Sequence, residues 1–401
     1  MIRIKTGLII IVTICSSFSV KKGNGYLITD FGAIADGRTI NTQFIQKAID
    51  QCALSGGGYV IIPKGIFISG SIFLKDKVNL RIEEEGILKG SINPDDYPQI
   101  DTRWEGEEKK WTACLVNAIG LKGTKFIGPG RVDGSGEEWT KRGKEQRLKY
   151  GKPRLIGFQN CKNITISGLS LYNQACWGLF ILYSSGVEIS KLNITAAHDI
   201  PSSDGIDIDS SNEVHISDCF IDVNDDCISI KSGKDEDGLR VNRPSEEILI
   251  EKCTFAYGHG GVAMGSETSG GIRNVTVKDC IVEADNWAPI RFKSQPSRGG
   301  VVENITYKNI ELKNTRKAFE FNMAWRMVNP KPPAAVLPLV RNIKLINIYG
   351  TVSAVGDMRG LANSPIQDVV FKNCNITAKR DFLMEYTQNI DTSGLHINII
   401  K

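Results

Sequence analysis

Long apolar runs are almost missing from this 401-residue chain. The one exception, Leu8–Ile14, is too short to cross a bilayer as a helix, so no membrane span is expected. Charge of one sign is missing too. A formal net charge of +4 gives no global field for nucleic acid, and a polyanionic partner would need a local basic site. Prolines number 14 against 40 glycines, which argues for many tight turns rather than a disordered chain. Only four histidines are present, and no two of the ten cysteines form a CxxC pair, so zinc finds no ready ligand set. Segments of helical period are nearly absent as well.

The first residues have the layout of an export signal: Arg3 and Lys5 precede Leu8–Ile14, and small residues follow. We take 1–24 as a signal peptide and 25–401 as one domain. Cys15 would be the lipidated residue of a lipoprotein, but Ile14 stands where a small residue is expected. The chain is therefore expected to be exported, as a periplasmic, secreted or surface-anchored protein.

What fills the chain is a repeat. NITISGLSLYN (163–173), GVEISKLNITA, EVHISDCFIDV, EILIEKCTFAY, NVTVKDCIVEA, NITYKNIELKN, NIKLINIYGTV and DVVFKNCNITA share a pattern that alternates with period two. Their first apolar residues are Ile164, Val187, Val214, Ile248, Val275, Ile305, Ile343 and Val369. Short units at variable spacing predict a solenoid. With no helices between the strands, the expected fold is all-β, a right-handed parallel β-helix. Five residues after each anchor stand Leu169, Leu192, Cys219, Cys253, Cys280, Ile310, Ile348 and Cys374. Cysteine there shares a position with leucine and isoleucine and acts as a small buried apolar group, not as a disulfide partner. Asn163, Asn274, Asn304, Asn342 and Asn373 fall at coil corners, where asparagine tolerates unusual backbone angles. One helix is expected at Thr42–Ala53, placed to cap the open first coil, with GGGYVIIP beginning the coils. Charged insertions within 93–153 and at 231–247 are expected to be loops beside a groove.

Against this background, SSDGIDIDSSNEVHISDCFIDVNDDCIS (202–229) crowds aspartates into strand-like text. Asp204 precedes Asp225 and Asp226 by about one coil, so the three carboxylates can converge on one face. Close carboxylates cannot all ionise easily, and one tends to keep its proton. That division suits glycoside hydrolysis, which needs an acid and a base; clustered aspartates also suit calcium. Asp209, Asp218 and Asp222 are expected to be solvated turn residues, and Asp207 a supporting one. His259 sits between Gly258 and Gly260, and Arg291 and Lys293 are spaced to share one face.

Ser202-Ser203-Asp204, Asp225-Asp226, Gly258-His259-Gly260 and Arg291-Phe292-Lys293, in that order, resemble the polygalacturonase family, glycoside hydrolase family 28, whose signature runs NTD, DD, GHG, RIK. TDFGAIADG, GGGYVIIPKG and GPGRVDGSGEEW extend the resemblance over roughly residues 27–378. It implies cleavage of α-linked galacturonic acid in pectic polymers, with inversion and without a metal or other cofactor. It implies Asp225 as general acid, Asp204 and Asp226 as water-activating residues, and His259 as support for the acid. Arg291 and Lys293 would bind a sugar carboxylate beside the scissile bond. Acid and base would then lie about 6.5–9.5 Å apart. Ser202-Ser203 replaces the family's Asn-Thr, so contacts beside the bond are expected to differ. Phe292 replaces isoleucine and is expected to point inward. The TRWEGEE segment (102–108) and the large loops lean the expectation towards exo action on homogalacturonan or rhamnogalacturonan, by a monomer. A pectate-lyase-like elimination enzyme and a non-catalytic carbohydrate-binding solenoid are the alternatives.

Overall fold

The computed structural model describes residues 25–145, 148, 150–283, 285–326 and 331–401. The expected signal peptide (1–24), with Cys15, lies outside the described residues.

The eight repeat anchors form one column. Parallel pairing runs Ile164↔Val187↔Val214↔Ile248↔Val275↔Ile305↔Ile343↔Val369 without a slip. Each anchor is at most 2% exposed. A buried valine or isoleucine contributes about 1.5–3 kcal/mol, so the column is a major part of the core. Alternate residues face solvent, as the period of two requires. The second column includes Cys280↔Ile310↔Ile348. Cys219, Cys253 and Cys280 are buried, and each donates its thiol to the carbonyl two residues back. All nine described cysteines are free. The fold is thus the expected right-handed parallel β-helix.

The corner asparagines make two ladders rather than one. Asn342 donates to Asn304 and Asn304 to Asn274, while Asn373, Asn347 and Asn309 form a second file ending on Asp279. All of these asparagines have φ near +55°, a left-handed corner that asparagine adopts at low cost.

Helix α1 (Thr42–Leu54) buries Ile45, Ala48, Ile49 and Cys52 against the first coil, as a cap should. The coils begin earlier than GGGYVIIP: Tyr26–Leu27 already pairs with Val60 and Ile61. Within 93–153 the insertions are smaller than expected, because Val116–Ile119, Lys125–Ile127 and Arg131–Asp133 form a regular coil. What projects is an antiparallel hairpin, Gln99–Trp104 with Glu107–Thr112, and a helix, Gly136–Glu145. Among the described residues, no helix is long and apolar enough to cross a membrane.

Five strands of one sheet carry the site: β1 (Leu179–Leu182), β2 (Ile206–Asp209), β3 (Asp226–Lys231), β4 (Gly260–Met264) and β5 (Ala288–Lys293). They stack in that order, one per coil.

Candidate active site

Registers Leu179↔Ile206 and Ile206↔Ile228, carried back two residues, put Trp177, Asp204 and Asp226 in one file along the groove. Gly260 and Ala288 continue it. One oxygen from each of Asp204, Asp225 and Asp226 lies within 4.8 Å of the others. The expected convergence is therefore present. Asp225 and Asp226 are consecutive on one coil and Asp204 lies on the adjoining one, whose strands are about 4.8 Å apart, and this brings the nearest oxygens together. Oxygens at this separation are within reach of one bridging water, which hydrogen-bonds at about 2.8 Å to each side.

Asp225 and Asp226 both face the groove because they straddle the entry to β3. Asn224 fixes that bend: its amide donates to Ile200 O at 3.1 Å and its backbone N–H to Ser203 Oγ at 3.2 Å. Ser203 is fully buried and its hydroxyl donates to Ile200 O at 2.9 Å. This serine therefore joins the turn carrying Asp204 to the turn carrying Asp225 and does not reach towards a ligand. Ser202 is half-buried, with φ +57°.

Asp226 is 1% exposed and is held by two cations: Lys293 Nζ at 2.5 Å and Arg291 Nη1 at 3.3 Å. Arg291 Nε also donates to Glu320 at 2.6 Å. Here the structure revises the expectation. Arg291 and Lys293 do share a face, but at 5% and 8% exposure they are an internal counter-charge for Asp226 first. A sugar carboxylate would join this pair rather than find it free. Phe292 points inward as expected, stacked on Phe321 with centroids 4.3 Å apart.

His259 Nδ1 lies 3.5 Å from Asp225 Oδ1. The hydrogen bond with Asp225 raises the imidazole above its usual range, against the opposing effect of burial. For Asp225, burial pushes the carboxyl up, but His259 and then Lys293 outweigh it and hold it below the carboxylate range. Asp204 goes the other way: burial, then the charges of Asp207 and Asp225, raise it well above that range. Asp204 and Asp225 are thus driven in opposite directions, Asp204 up by burial and its carboxylate neighbours and Asp225 down by His259 and Lys293. The glycines beside His259 serve its neighbours. A Cβ at Gly260 would stand 2.8 Å from Asp226 Oδ1, and one at Gly258 would stand 2.8 Å from Asp225 O.

Several residues escaped the sequence reading. Lys231 ends β3 and its ammonium faces Asp207 at 3.1 Å, with Asp204 and Glu267 each at 3.8 Å. Asp207 is fully buried; burial first, opposed by Lys231, puts its carboxyl at about 7. Asp209 is not a solvated turn residue. It is fully buried and paired with Arg103, also fully buried, at 2.6 Å. Asp218 is exposed and Asp222, half-buried, pairs with His198, as suits peripheral residues. Asp204, Asp225 and Asp226 each present an oxygen within cation-binding reach, but Lys293 and Arg291 already neutralise Asp226, and Lys231 stands 3.8 Å from Asp204.

An aromatic stack stands on the N-terminal side of Asp204. Trp177 stacks on Trp104 (4.7 Å) and Trp104 on Trp111 (4.4 Å), three rings laid across the file. The hairpin bearing Trp104 is locked by Arg103 to Asp209 and Ser210, and by Glu108 to Tyr183 and Arg240. Arg240 belongs to a short helix, Asp235–Val241, so the 231–247 insertion buttresses the hairpin.

A parallel β-helix with a carboxylate triad, an imidazole on one member and a cationic pair on another defines a carbohydrate-cleaving solenoid. The chain belongs to the glycosyl hydrolases family 28, whose model matches residues 56–393. It is similar to a probable polygalacturonase of Vitis vinifera, 30% identical over 362 residues, 87% of this chain and 73% of that protein. An endo-polygalacturonase of Pectobacterium carotovorum subsp. carotovorum is 29% identical over 84% of both chains. Among solved structures, a hyperthermoactive exopolygalacturonase from Thermotoga maritima superposes with a TM-score of 0.81 at 27% identity. The match covers 94% of this chain and 92% of that one.

Proposed function

We propose that this protein hydrolyses α-linked galacturonic acid in pectic polymers, taking sugar from the chain end, with inversion at the anomeric carbon. The membership of family 28 and the polygalacturonase relatives support the reaction and substrate class. The observation that carries the mechanism is the convergence of Asp204, Asp225 and Asp226 within 4.8 Å.

In this mechanism a water bridges Asp204 and Asp226 and attacks the anomeric carbon as the glycosidic C–O bond breaks. The water's proton passes to one of these two carboxylates. Asp225 gives a proton to the departing oxygen. The acid form carries its proton on Asp225 Oδ2, and that proton passes to the leaving oxygen as the C–O bond breaks, leaving a carboxylate that His259, 3.5 Å from Oδ1, stabilises. Asp225 Oδ1 already accepts from the Asp226 backbone at 2.9 Å, which leaves Oδ2 for the substrate. Arg291 and Lys293 hold a uronate on the leaving side, and in doing so draw positive charge from Asp226, making it a stronger base.

End-on action is supported by the Trp177–Trp104–Trp111 stack, which stands one coil before Asp204, where it would limit the sugars held beyond the cleaved bond. The positive start before Leu8–Ile14 supports export to where such polymers occur. Purified protein should release monosaccharide from polygalacturonate as a saturated sugar, of the anomer opposite to the substrate linkage by early proton NMR. Unsaturated products abolished by a chelator would establish a lyase. No product, and binding unaltered by Asp225→Asn, would establish a non-catalytic binder.

A further inference from the structure

We propose that Lys231 is a positioning residue for the hydrolytic step: a sealed internal cation that keeps the water-activating carboxylates ionised without touching substrate. This rests on the roles given above to Asp204 and Asp226.

The site holds its cations in two ways. Arg291 and Lys293 lie on the side of Asp226 where a uronate would sit, so a bound sugar competes for them. Lys231 cannot be drawn off in this way. Its side chain is 7% exposed, and its ammonium lies 3.9 Å from the centre of the Trp177 ring. A cation under an indole face is stabilised there and shielded from solvent. Three carboxylates from the two neighbouring coils surround it: Asp204 before β2, Asp207 on β2 and Glu267 after β4.

The charges facing this cluster come from every coil packed on it. Asp225 and Asp226 add negative charge from the coil of Lys231 itself. His259 and Arg291 bear on Asp225 and Asp226, Lys293 bears on Glu267 from β5, and Arg298 bears on Glu267 while pairing with Asp235. The Trp177 coil contributes Gln174, whose amide donates to the carbonyls of Ser203 and Asp204 at 3.1 Å. Asp209 matches Lys231 in register but turns away to Arg103. Among the described residues, Lys231 is therefore the one cation that pairs with Asp204 and Asp207. Burial and like charges raise both carboxyls, and Lys231 is the opposing influence on each. Burial also pushes Glu267 up, but Lys231 and then Arg298 hold it ionised.

The consequence has a definite sign. Without the cation, Asp204 and Asp207 bind protons more tightly, so the low-pH limb of kcat/KM, where the base must ionise, moves to higher pH. Removing the negative charge of Glu267 moves it the other way. The test is the pH profile of kcat and KM on a galacturonate oligomer for wild type, Lys231→Met, Lys231→Arg, Glu267→Gln, the double variant Lys231→Met/Glu267→Gln, and Asp204→Asn. We expect the limb of Lys231→Met to rise by about one pH unit or more. The limb of Glu267→Gln should fall, the double variant should lie between the two single ones, and Lys231→Arg should stay near wild type. KM should change by less than about threefold, half a power of ten in affinity. A uniform loss of kcat with no movement of the limb would overturn the proposal in favour of a structural role. A large rise in KM with the limb fixed would overturn it in favour of substrate contact. If Lys231→Met does not fold, Glu267→Gln and Lys231→Arg still decide, since an unmoved limb in Glu267→Gln contradicts the proposal. Activity retained by Asp204→Asn would instead overturn the catalytic reading itself.

Discussion

Trp177 stands in the same file as Asp204, one coil before it, and carries Trp104 stacked on its face at 4.7 Å. The carboxylate proposed to activate water and the aromatic stack proposed to end the groove are thus neighbours. Replacing Trp104 by Ala removes the middle ring of the stack and should open the groove. The variant should release longer oligomers early in the digest, where wild type is expected to release monosaccharide. An unchanged product pattern from a folded Trp104→Ala protein would show that the wall does not set the cleavage position.

Removing the acid tests the chemistry. Asp225→Asn keeps the shape but cannot donate a proton, and kcat should fall about 10²–10⁴-fold, as for loss of a positioned acid. Because Asp225 is half-buried at a turn, the variant should still fold. Circular dichroism separates a dead enzyme from an unfolded one.

The Asp225–His259 pair also makes a pH-dependent contribution to stability. His259 is raised on folding, so its share is present below about pH 6.5, the ordinary histidine range, and is lost as pH rises through its folded value. Asp225 is lowered, so its share is present above about pH 4 and is lost as pH falls through its folded value. Asp225→Asn and His259→Asn should therefore cost most between about pH 4 and 6.5. Thermal melts across pH 3–9 check this, and a penalty that keeps growing above pH 8 would contradict it.

Arg103 and Asp209 tie the hairpin to β2 through a pair from which water is excluded. Arg103→Met strands a buried carboxylate and should cost about 3–5 kcal/mol of stability. Arg103→Met/Asp209→Asn should recover part of it. Chemical denaturation measures both. Equal losses in the single and double variants would show that the pair itself is not the anchor.

The coils were legible because a solenoid repeats one rule. Ile164 through Val369 could be aligned by eye, and the backbone pairs them in that alignment. Asp204, Asp225 and Asp226 were legible because one coil separates them. The partners of these residues were not. Arg103 meets Asp209 from 106 positions away, through an insertion that has no period. Asp209 therefore reads as a turn residue in sequence and is a buried ion in the fold. Lys231 ends a strand of ordinary pattern and Glu267 follows another, and only stacking brings their charges together beside Asp204. Arg291 and Lys293 were found, but their pairing with Asp226 depends on which of two adjacent aspartates turns towards β5. That is decided at the Asn224 bend.

The most direct test is a timed digest of long polygalacturonate by the wild-type protein, following viscosity and products together. Steady release of saturated galacturonic acid with little loss of viscosity, abolished in Asp225→Asn, is the predicted result. A rapid fall in viscosity with a ladder of oligomers, or equal activity in Asp225→Asn, would contradict it.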